Sequence, residues 1–195
     1  MANKVAGELY ESLTGQLFEI GRQLRQPNGY PYDPMELKAH LQAAIEGRFP
    51  KSEFQSYPVD VNYDLPVKAM VKAGKYDYAN SDVNDANFRT TRSGQAEVGI
   101  ILVHFNRVIS TEDALKELDR QGLRPAELPE LLAFGDEFPK KQLKFPIVAL
   151  GSVWQDRGGS RLVPCLDGGG LGRGLYLLWA GDGWVELCRF AAVRK

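Results

Sequence analysis

The chain contains few of the side chains on which enzyme chemistry usually depends. Its 195 residues include only two histidines, His40 and His104, and two cysteines, Cys165 and Cys188. These residues are not spaced as metal ligands, and no Gly-x-Ser-x-Gly motif marks a catalytic serine. We therefore expect no catalytic residue, no metal, no cofactor and no enzyme activity. His104 falls in a predicted strand, where a single histidine is typically a hydrogen-bonded core residue.

The chain also lacks a long apolar run and a strong charge of either sign. No segment approaches the roughly 20 apolar residues that span a bilayer, and the N-terminus has no apolar signal-peptide core. A net charge of -1 gives no general attraction to a phosphate backbone. We expect a cytoplasmic protein with no nucleic-acid partner and no membrane insertion, unless another route displays it at a cell surface.

Both cysteines lie near the C-terminus, and two interpretations of them stay open. Cys165 and Cys188 are either small buried hydrophobic residues on neighbouring strands in a reducing compartment, or the two halves of a disulfide. A disulfide would require their Cα atoms to lie within about 7 Å of each other.

The N-terminal quarter of the chain is predicted to be helical. Apolar residues recur at helical spacing at Leu9, Leu13, Leu17, Ile20 and Leu24, which predicts an amphipathic helix over about 3–25. Asp33 and Pro34 predict a second helix start, with Asp33 as N-cap and Glu36 completing a capping box, and Gly47 ends that helix. We expect residues 1–50 to form a helical hairpin that packs on a main domain at 51–195.

The middle of the chain alternates predicted strands and helices. We predict strands over 57–64, 97–105 and 145–151, a short helix capped by Asp64, a helix capped by Ser110 and another over 124–135. Residues 156–159 are predicted to form the turn of a hairpin. This order of elements predicts the α+β fold class.

The polar segment 76–94 is predicted to be a long irregular loop. It contains Asp82, Asn84 and Asp85 within reach of one another, and calcium binds to such groups of oxygen atoms. The spacing differs from that of an EF-hand, and turn formation by Asn and Asp side chains explains the same residues.

The C-terminal segment carries the most informative pattern. In a strand, Leu175, Leu177 and Trp179 share one face, and Tyr176 and Leu178 point to the other, together with Ala180. The first face is large and apolar, so we expect it to lie in the core. The second face has no common chemistry, which favours a surface that displays side chains over a catalytic pocket.

The residues of this segment also resemble a known protein family. The frame L-x-L-x-W-x-x-x-x-W-x-x-x-C-R-F-x-A-V-R, from Leu175 to Arg194, resembles the C-terminal variable region of the target proteins of diversity-generating retroelements. The resemblance covers about 124–195. It implies a prokaryotic or viral source, a C-type lectin-like fold, and a variable region at about 166–190 that lines a ligand-binding surface.

The resemblance also implies a rule for which residues can vary. In this family an error-prone reverse transcriptase substitutes at template adenines, so that Asn codons become fifteen residue types, from which Trp, Glu, Lys, Gln and Met are absent. Trp179 and Trp184 are therefore expected to be constant and buried. The sugar-binding signatures Glu-Pro-Asn and Trp-Asn-Asp are absent, so the resemblance does not imply carbohydrate binding.

The Gly-rich segment has three interpretations. A phosphate-binding loop would require a helix to follow the glycines, but an alternating strand follows them instead. They otherwise form a flexible hairpin loop, or they are surface positions that happen to be glycine here and would contact ligand in other variants. These glycines are Gly168, Gly169, Gly170, Gly172 and Gly174.

The sequence thus predicts a monomer that binds an unknown ligand, a protein or other macromolecule, through a diversified surface. Besides the glycines, the predicted ligand-binding residues are Tyr176, Leu178, Ala180, Asp182, Val185 and Leu187. One alternative is a structural or interaction protein that docks a partner chain through the same segment. Another follows from the fold, which formylglycine-generating enzymes share, and would make Cys165 and Cys188 the thiols of an oxidase.

Overall fold

The computed structural model describes residues 7–25, 33–46, 55–169 and 172–195. The chain divides into two compact units, Met1–Glu53 and Phe54–Lys195. It contains both helices and a large mixed sheet, so the predicted α+β class is confirmed. None of the helices in the described ranges is long and apolar enough to cross a bilayer.

The described residues of the first unit form two helices, α1 (Glu8–Gln23) and α2 (Pro34–Ile45). Asp33 Oδ1 accepts a hydrogen bond from the Met35 N–H at 2.6 Å, as expected of the residue that precedes a helix. The Glu36 side chain and Gly47 lie outside the described residues. Helix α1 exposes large apolar side chains, among them Leu17 and Phe18, which are 61% and 75% exposed.

The second unit contains three helices and nine strands within the described residues. The helices are α3 (Val67–Ala73), α4 (Thr111–Arg120) and α5 (Leu128–Glu137). The strands are β1 (Ser56–Asn62), β2 (Tyr78–Ala79), β3 (Gln95–Val103), β4 (Leu123–Pro125), β5 (Ile147–Val148), β6 (Trp154–Gln155), β7 (Arg161–Gly169), β8 (Gly172–Trp179) and β9 (Arg189–Arg194).

The strands form one sheet in the order β1-β3-β9-β5-β7-β8-β2. Strand β4 also pairs with β9, and β6 pairs with β7. The β5–β9 and β2–β8 pairs are parallel, and the others are antiparallel. The 97–105 prediction corresponds to β3, which lies inside the sheet between β1 and β9, as its apolar run indicates.

Two clusters of buried side chains cover the two faces of the sheet. Ile100 belongs to one cluster and its neighbour Ile101 to the other, because successive residues of a strand point to opposite faces. Helices α3 and α5 supply the first cluster, for example with Phe134, and α4 supplies the second with Leu118. Ser110 caps α4 as predicted, since its Oγ accepts the Asp113 N–H at 3.1 Å.

The predicted helix over 124–135 is wrong at both ends. Residues Arg124 and Pro125 belong to β4, and α5 begins at Leu128 because Glu127 and Glu130 form a capping box there. Gly135 does not end the helix. It is needed inside the helix because a Cβ at this position would collide with the Tyr76 hydroxyl.

Two other predicted segments and one predicted core residue differ from the structure. The strand expected over 145–151 is only the two residues of β5, and the loop expected over 76–94 contains β2. His104 lies just after β3 and is exposed, with its Nε2 atom 2.8 Å from the Glu186 carbonyl oxygen. The prediction of a core histidine is therefore wrong, because β3 leaves the core one residue earlier.

In the polar segment 76–94, Asn and Asp side chains accept hydrogen bonds from backbone amides and so stabilise turns, as predicted. The Asn84 Oδ1 atom accepts the N–H groups of Ala86 and Asn87, and Asp85 Oδ1 accepts the Val67 N–H at 2.6 Å. Asp85, and not Asp64, therefore binds the first amide of α3. Across the described ranges, no three His, Cys, Asp or Glu side chains are grouped so that they could hold a metal ion.

Candidate binding surface

The predicted alternation of buried and exposed side chains holds over the first part of β8. Leu175 is fully buried and Leu177 is half-buried, and both contact the cluster that α5 covers. Tyr176 and Leu178 point to the other face and are 37% and 36% exposed. Both residues belong to the predicted ligand-binding set, and their side chains are accessible to a ligand.

The prediction that Trp179 is buried is wrong, because this side chain is 53% exposed. Strand parity places it on the same face as Leu175, but the buried cluster on that face ends along the strand before Trp179. Trp184 is buried, as expected, and its Nε1–H donates to Thr111 Oγ1 at 2.9 Å. A tryptophan that the sequence places in the core is thus an exposed aromatic side chain beside Leu178.

The segment between β8 and β9 continues the interleaving of buried and exposed residues. Trp184 and Ile109 exchange two backbone hydrogen bonds, which anchor this segment beside α4. Val185 and Leu187 are 57% and 64% exposed, and Asp182 is also exposed. Ala180 is only half-buried, and its carbonyl oxygen accepts a hydrogen bond from the Thr111 hydroxyl.

Two of the predicted surface glycines, Gly168 and Gly172, are required by the frame itself. A Cβ at Gly168 would lie 2.8 Å from the Leu143 Cα. The atoms nearest to a Cβ at Gly174 belong to the ring of Tyr176, an exposed side chain of the predicted ligand-binding set, and not to the frame. Gly172 has a φ of +102°, and a Cβ there would collide with the Asp77 carboxylate. The expectation that these positions contact ligand in other variants therefore conflicts with the frame at Gly168 and Gly172, and it stays a prediction at Gly174. Gly169 is exposed with open space around it, and Gly170 lies outside the described residues.

The described glycines of this segment lie in paired strands. Asp167 pairs with Gly174, Gly168 with Arg173 and Gly169 with Gly172, so these residues form the paired end of strands β7 and β8. A phosphate loop is excluded at this position because β8, and not a helix, follows the glycines.

Arg173 fixes the start of β8 to three other parts of the second unit. Its guanidinium donates to the carbonyl oxygens of Gly74 and Gly135 at 2.7 and 2.5 Å, and to Gln142 Oε1 at 3.2 Å. Gln142 is buried, and its amide nitrogen donates to the carbonyl oxygens of Asp167 and Gly174. The sequence gives no signal for this network, because its members are far apart along the chain.

Tyr78 is a second residue that the sequence does not single out. Its ring stacks on that of Tyr176 with a centroid distance of 5.1 Å, and the Tyr78 side chain is 50% exposed. Strand β2 brings it there by pairing in parallel with β8, where Tyr78 lies beside Gly174. The exposed aromatic surface thus extends beyond the C-terminal segment.

The two cysteines are separate buried thiols. No disulfide joins them, so the interpretation as small buried side chains is confirmed. Burial raises the pKa of the Cys165 thiol far above its usual range, and burial also raises the pKa of Cys188. A thiol in this state is a poor nucleophile, since the thiolate is the reactive form.

A buried ion pair is the main electrostatic feature elsewhere in the unit. Glu130 is fully buried, and its Oε1 atom accepts hydrogen bonds from Arg124 at 2.6 Å and from the Tyr63 hydroxyl at 2.7 Å. Burial alone would raise the pKa of Glu130, but these bonds and the Glu127 N–H hold that pKa below its ordinary value. Burial, and then the bond to Glu130, raise the pKa of Tyr63 to about 12. Every group here has a partner, so the arrangement is structural.

A cleft of about 500 Å³ opens beside this ion pair. Its floor is apolar, with Met70, Phe88 and Leu128, and Arg89 lies at its rim. The N-terminus of α5 borders the cleft but offers no free amide to an anion, because the Leu128 N–H donates to Ser152 Oγ at 2.8 Å.

No family model, no curated protein and no solved structure matches this chain. Within the second unit, exposed apolar side chains interleaved with a buried frame are concentrated in 176–187.

Proposed function

We propose that this protein binds a macromolecular ligand, most simply another protein, through its C-terminal surface. One observation carries the proposal: accessible and fully buried side chains alternate within a single short segment. The exposed set is Tyr176, Leu178, Asp182, Val185 and Leu187, and the buried set is Leu175, Trp184, Cys188 and Phe190. Such a segment can change its outward side chains while the packing beneath them stays the same.

The composition of the exposed set favours a protein ligand. Val185 and Leu187 are large apolar side chains that a folded protein normally exposes only singly, and Tyr176 adds aromatic area. Trp179, which lies outside the exposed set, adds further aromatic area beside it. Aromatic residues are enriched in protein interfaces, because they bury much apolar area with few rotatable bonds.

We further propose that the surface belongs to a retroelement target protein with a C-type lectin-like domain. The frame from Leu175 to Arg194 supports this, and the α+β architecture is compatible with it. Trp179, Trp184 and Glu186 are residue types that the adenine substitutions cannot produce, so these positions would be constant. The positions that vary would then be Gly169 and the exposed set, and not Gly168 and Gly172, which the frame requires.

A genomic observation tests the retroelement origin directly. We expect a neighbouring reverse-transcriptase gene and a near-copy of the sequence that encodes the C-terminal segment, with differences concentrated at adenines. A gene neighbourhood without either element would remove diversification from the proposal and leave the binding surface to be tested separately.

Two libraries of the full chain test the binding surface. The first varies the exposed set, and the matched control varies the buried set. Most members of the first library should remain folded, and selection on immobilised proteins should yield binders of different specificity. Most members of the control library should unfold, because core truncations cost about 2–5 kcal/mol. Equal loss of folded protein in both libraries would contradict the proposal.

The first unit favours a second function, the assembly of copies or partners through α1. Leu17 and Phe18 are 61% and 75% exposed, although apolar side chains of this size normally need cover. Sedimentation of the wild type and of a Leu17→Glu variant tests this, since a monomeric wild type would reject assembly of copies. The oxidase alternative has no such support, because Cys165 is fully buried.

A further inference from the structure

Strand β8 has an outer edge that is only partly covered. It lies between β7 and β2 in the sheet, but β2 contains two residues and pairs only with Gly174 and Leu175. On this outer side, no strand in the described residues pairs with the remainder of β8, from Tyr176 to Trp179, whose partner is β7 on the inner side.

The register identifies which backbone groups point to this edge. The Ala180 N–H donates to the Arg161 carbonyl oxygen at 2.8 Å, so even-numbered residues of this strand face β7. The Leu175 carbonyl oxygen accepts the Asn80 N–H at 2.9 Å, so odd-numbered residues face outward. The backbone N–H and C=O groups of Leu177 and Trp179 therefore point outward, without a backbone partner in the described part of the chain.

The opposite edge of the sheet is protected in a way that the β8 edge is not. The Tyr63 N–H donates to the Gly94 carbonyl oxygen, so even-numbered residues of β1 point away from β3. These include Pro58, which has no N–H to offer, and the charged Asp60. Proline and charge are common means of preventing an edge strand from pairing with another chain. The free part of β8, Tyr-Leu-Leu-Trp, contains neither.

Exposed apolar side chains stand on both faces of this free edge. Tyr176 and Leu178 lie on one face, with Tyr78 stacked on Tyr176, and Trp179 lies on the other. A strand placed beside β8 would direct its own side chains alternately to these two faces. An extended peptide with apolar residues on each face therefore matches both the free backbone groups and the exposed side chains.

We propose that the outer edge of β8 binds an extended segment of a partner protein as an additional strand. Leu177 and Trp179 supply the main-chain hydrogen bonds, and Tyr78, Tyr176 and Leu178 contact the apolar side chains of the segment. This proposal rests on the proposed function, because it names the class of ligand that the same surface binds. It adds a backbone contribution that does not depend on which side chains the variable positions carry.

Selection of peptides and a pair of matched variants test the added strand. A phage-displayed library of random dodecapeptides is selected on the full chain, and affinities are measured for Leu177→Pro and Leu177→Ala. Both variants lose the leucine side chain, but only proline removes the outward N–H. We expect the selected peptides to bind Leu177→Pro at least about tenfold more weakly than Leu177→Ala. Equal affinity for both variants, or a selection without binders, would overturn the proposal.

If the proline variant does not fold, amide hydrogen exchange of the wild type tests the same proposal. In the wild type, the amides of Tyr176 and Leu178 should exchange slowly, and those of Leu177 and Trp179 should exchange fast. Addition of a selected peptide should slow exchange at Leu177 and Trp179 alone. Slow exchange of these two amides in the dilute free protein would overturn the proposal.

A serine variant and a proline variant distinguish failure of the added strand from failure of the proposed binding surface. If Leu187→Ser abolishes peptide binding and Leu177→Pro does not, the surface binds ligand but the β8 edge does not. If neither change affects binding, both proposals fail. Dimerisation of the wild type and of Leu177→Ala, but not of Leu177→Pro, would show that a second copy of this chain occupies the edge. That result would also overturn the proposal that a segment of a partner protein binds there.

Discussion

Tyr78 and Tyr176 stack at a centroid distance of 5.1 Å, although one lies on β2 and the other on β8. The contact is possible because Gly174 has no side chain, which leaves room for the Tyr176 ring to lie along its own strand. A strand outside the C-terminal segment thus contacts an aromatic residue that the proposed function treats as variable.

Replacement of either tyrosine should weaken ligand binding without unfolding the protein. Both rings are partly exposed, so Tyr78→Ala and Tyr176→Ala should each cost less than about 1.5 kcal/mol of stability. A double-mutant cycle in urea denaturation should show a coupling of about 0.5–1.5 kcal/mol from the stacked rings. Strict additivity of the two changes would show that the rings do not interact in solution.

The two tryptophans of the frame should differ strongly in their contribution to stability. Trp184 is buried and hydrogen-bonded, so Trp184→Ala should lower the free energy of unfolding by about 3–5 kcal/mol. Trp179 is 53% exposed, and Trp179→Ala should cost about 1 kcal/mol or less. Thermal unfolding of the two variants side by side measures the difference. Similar losses of stability would indicate that Trp179 is buried in solution, as the sequence pattern predicts.

The two tryptophans differ because a local sequence pattern predicts the direction of a side chain but not whether that side chain is buried. Strand parity correctly predicts which face Leu175, Tyr176 and Leu178 occupy, because side-chain direction in a strand depends only on position. Parity cannot predict where the covering layer ends, and that end leaves Trp179 exposed. The contacts of Arg173 and Tyr78 join residues distant in sequence, so no pattern within one segment predicts them.

Arg173 should be essential to the frame although it is only partly buried. Its guanidinium donates to two backbone carbonyl oxygens and to Gln142, and a methionine would leave all three without this donor. We expect Arg173→Met to cost about 2–4 kcal/mol. The exposed Arg161 on β7 provides a matched control, and Arg161→Met should stay within about 0.5 kcal/mol. Urea denaturation followed by tryptophan fluorescence measures both, and equal effects would contradict the assigned role.

The buried ion pair should make stability depend on pH in a defined direction. The pKa of Glu130 in the folded protein lies below its ordinary value, so its contribution is fully present above that ordinary value. The contribution is lost as the pH falls through the folded pKa, because the carboxylate must then be protonated. Glu130→Gln should be less stable than the wild type by about 3 kcal/mol at pH 7.

The difference between these two proteins should shrink steadily below about pH 4, where a free glutamate begins to take up protons. Unfolding free energies from pH 7 to the acid limit of folding measure it, with the exposed Glu137→Gln as control for the other carboxylates. A difference that does not change with pH would mean that Glu130 is not the charged partner of Arg124.

The glycines of β7 and β8 provide a test of which positions can be diversified. An alanine at Gly174 must displace the Tyr176 ring, so Gly174→Ala should cost about 1–3 kcal/mol. Gly169→Ala should change stability by less than about 0.5 kcal/mol, because the Cβ there meets open space. If both variants are as stable as the wild type, the frame tolerates side chains at Gly174. The surface available for variation would then extend along the whole of β8, and the Tyr78–Tyr176 stack would not be a fixed part of it.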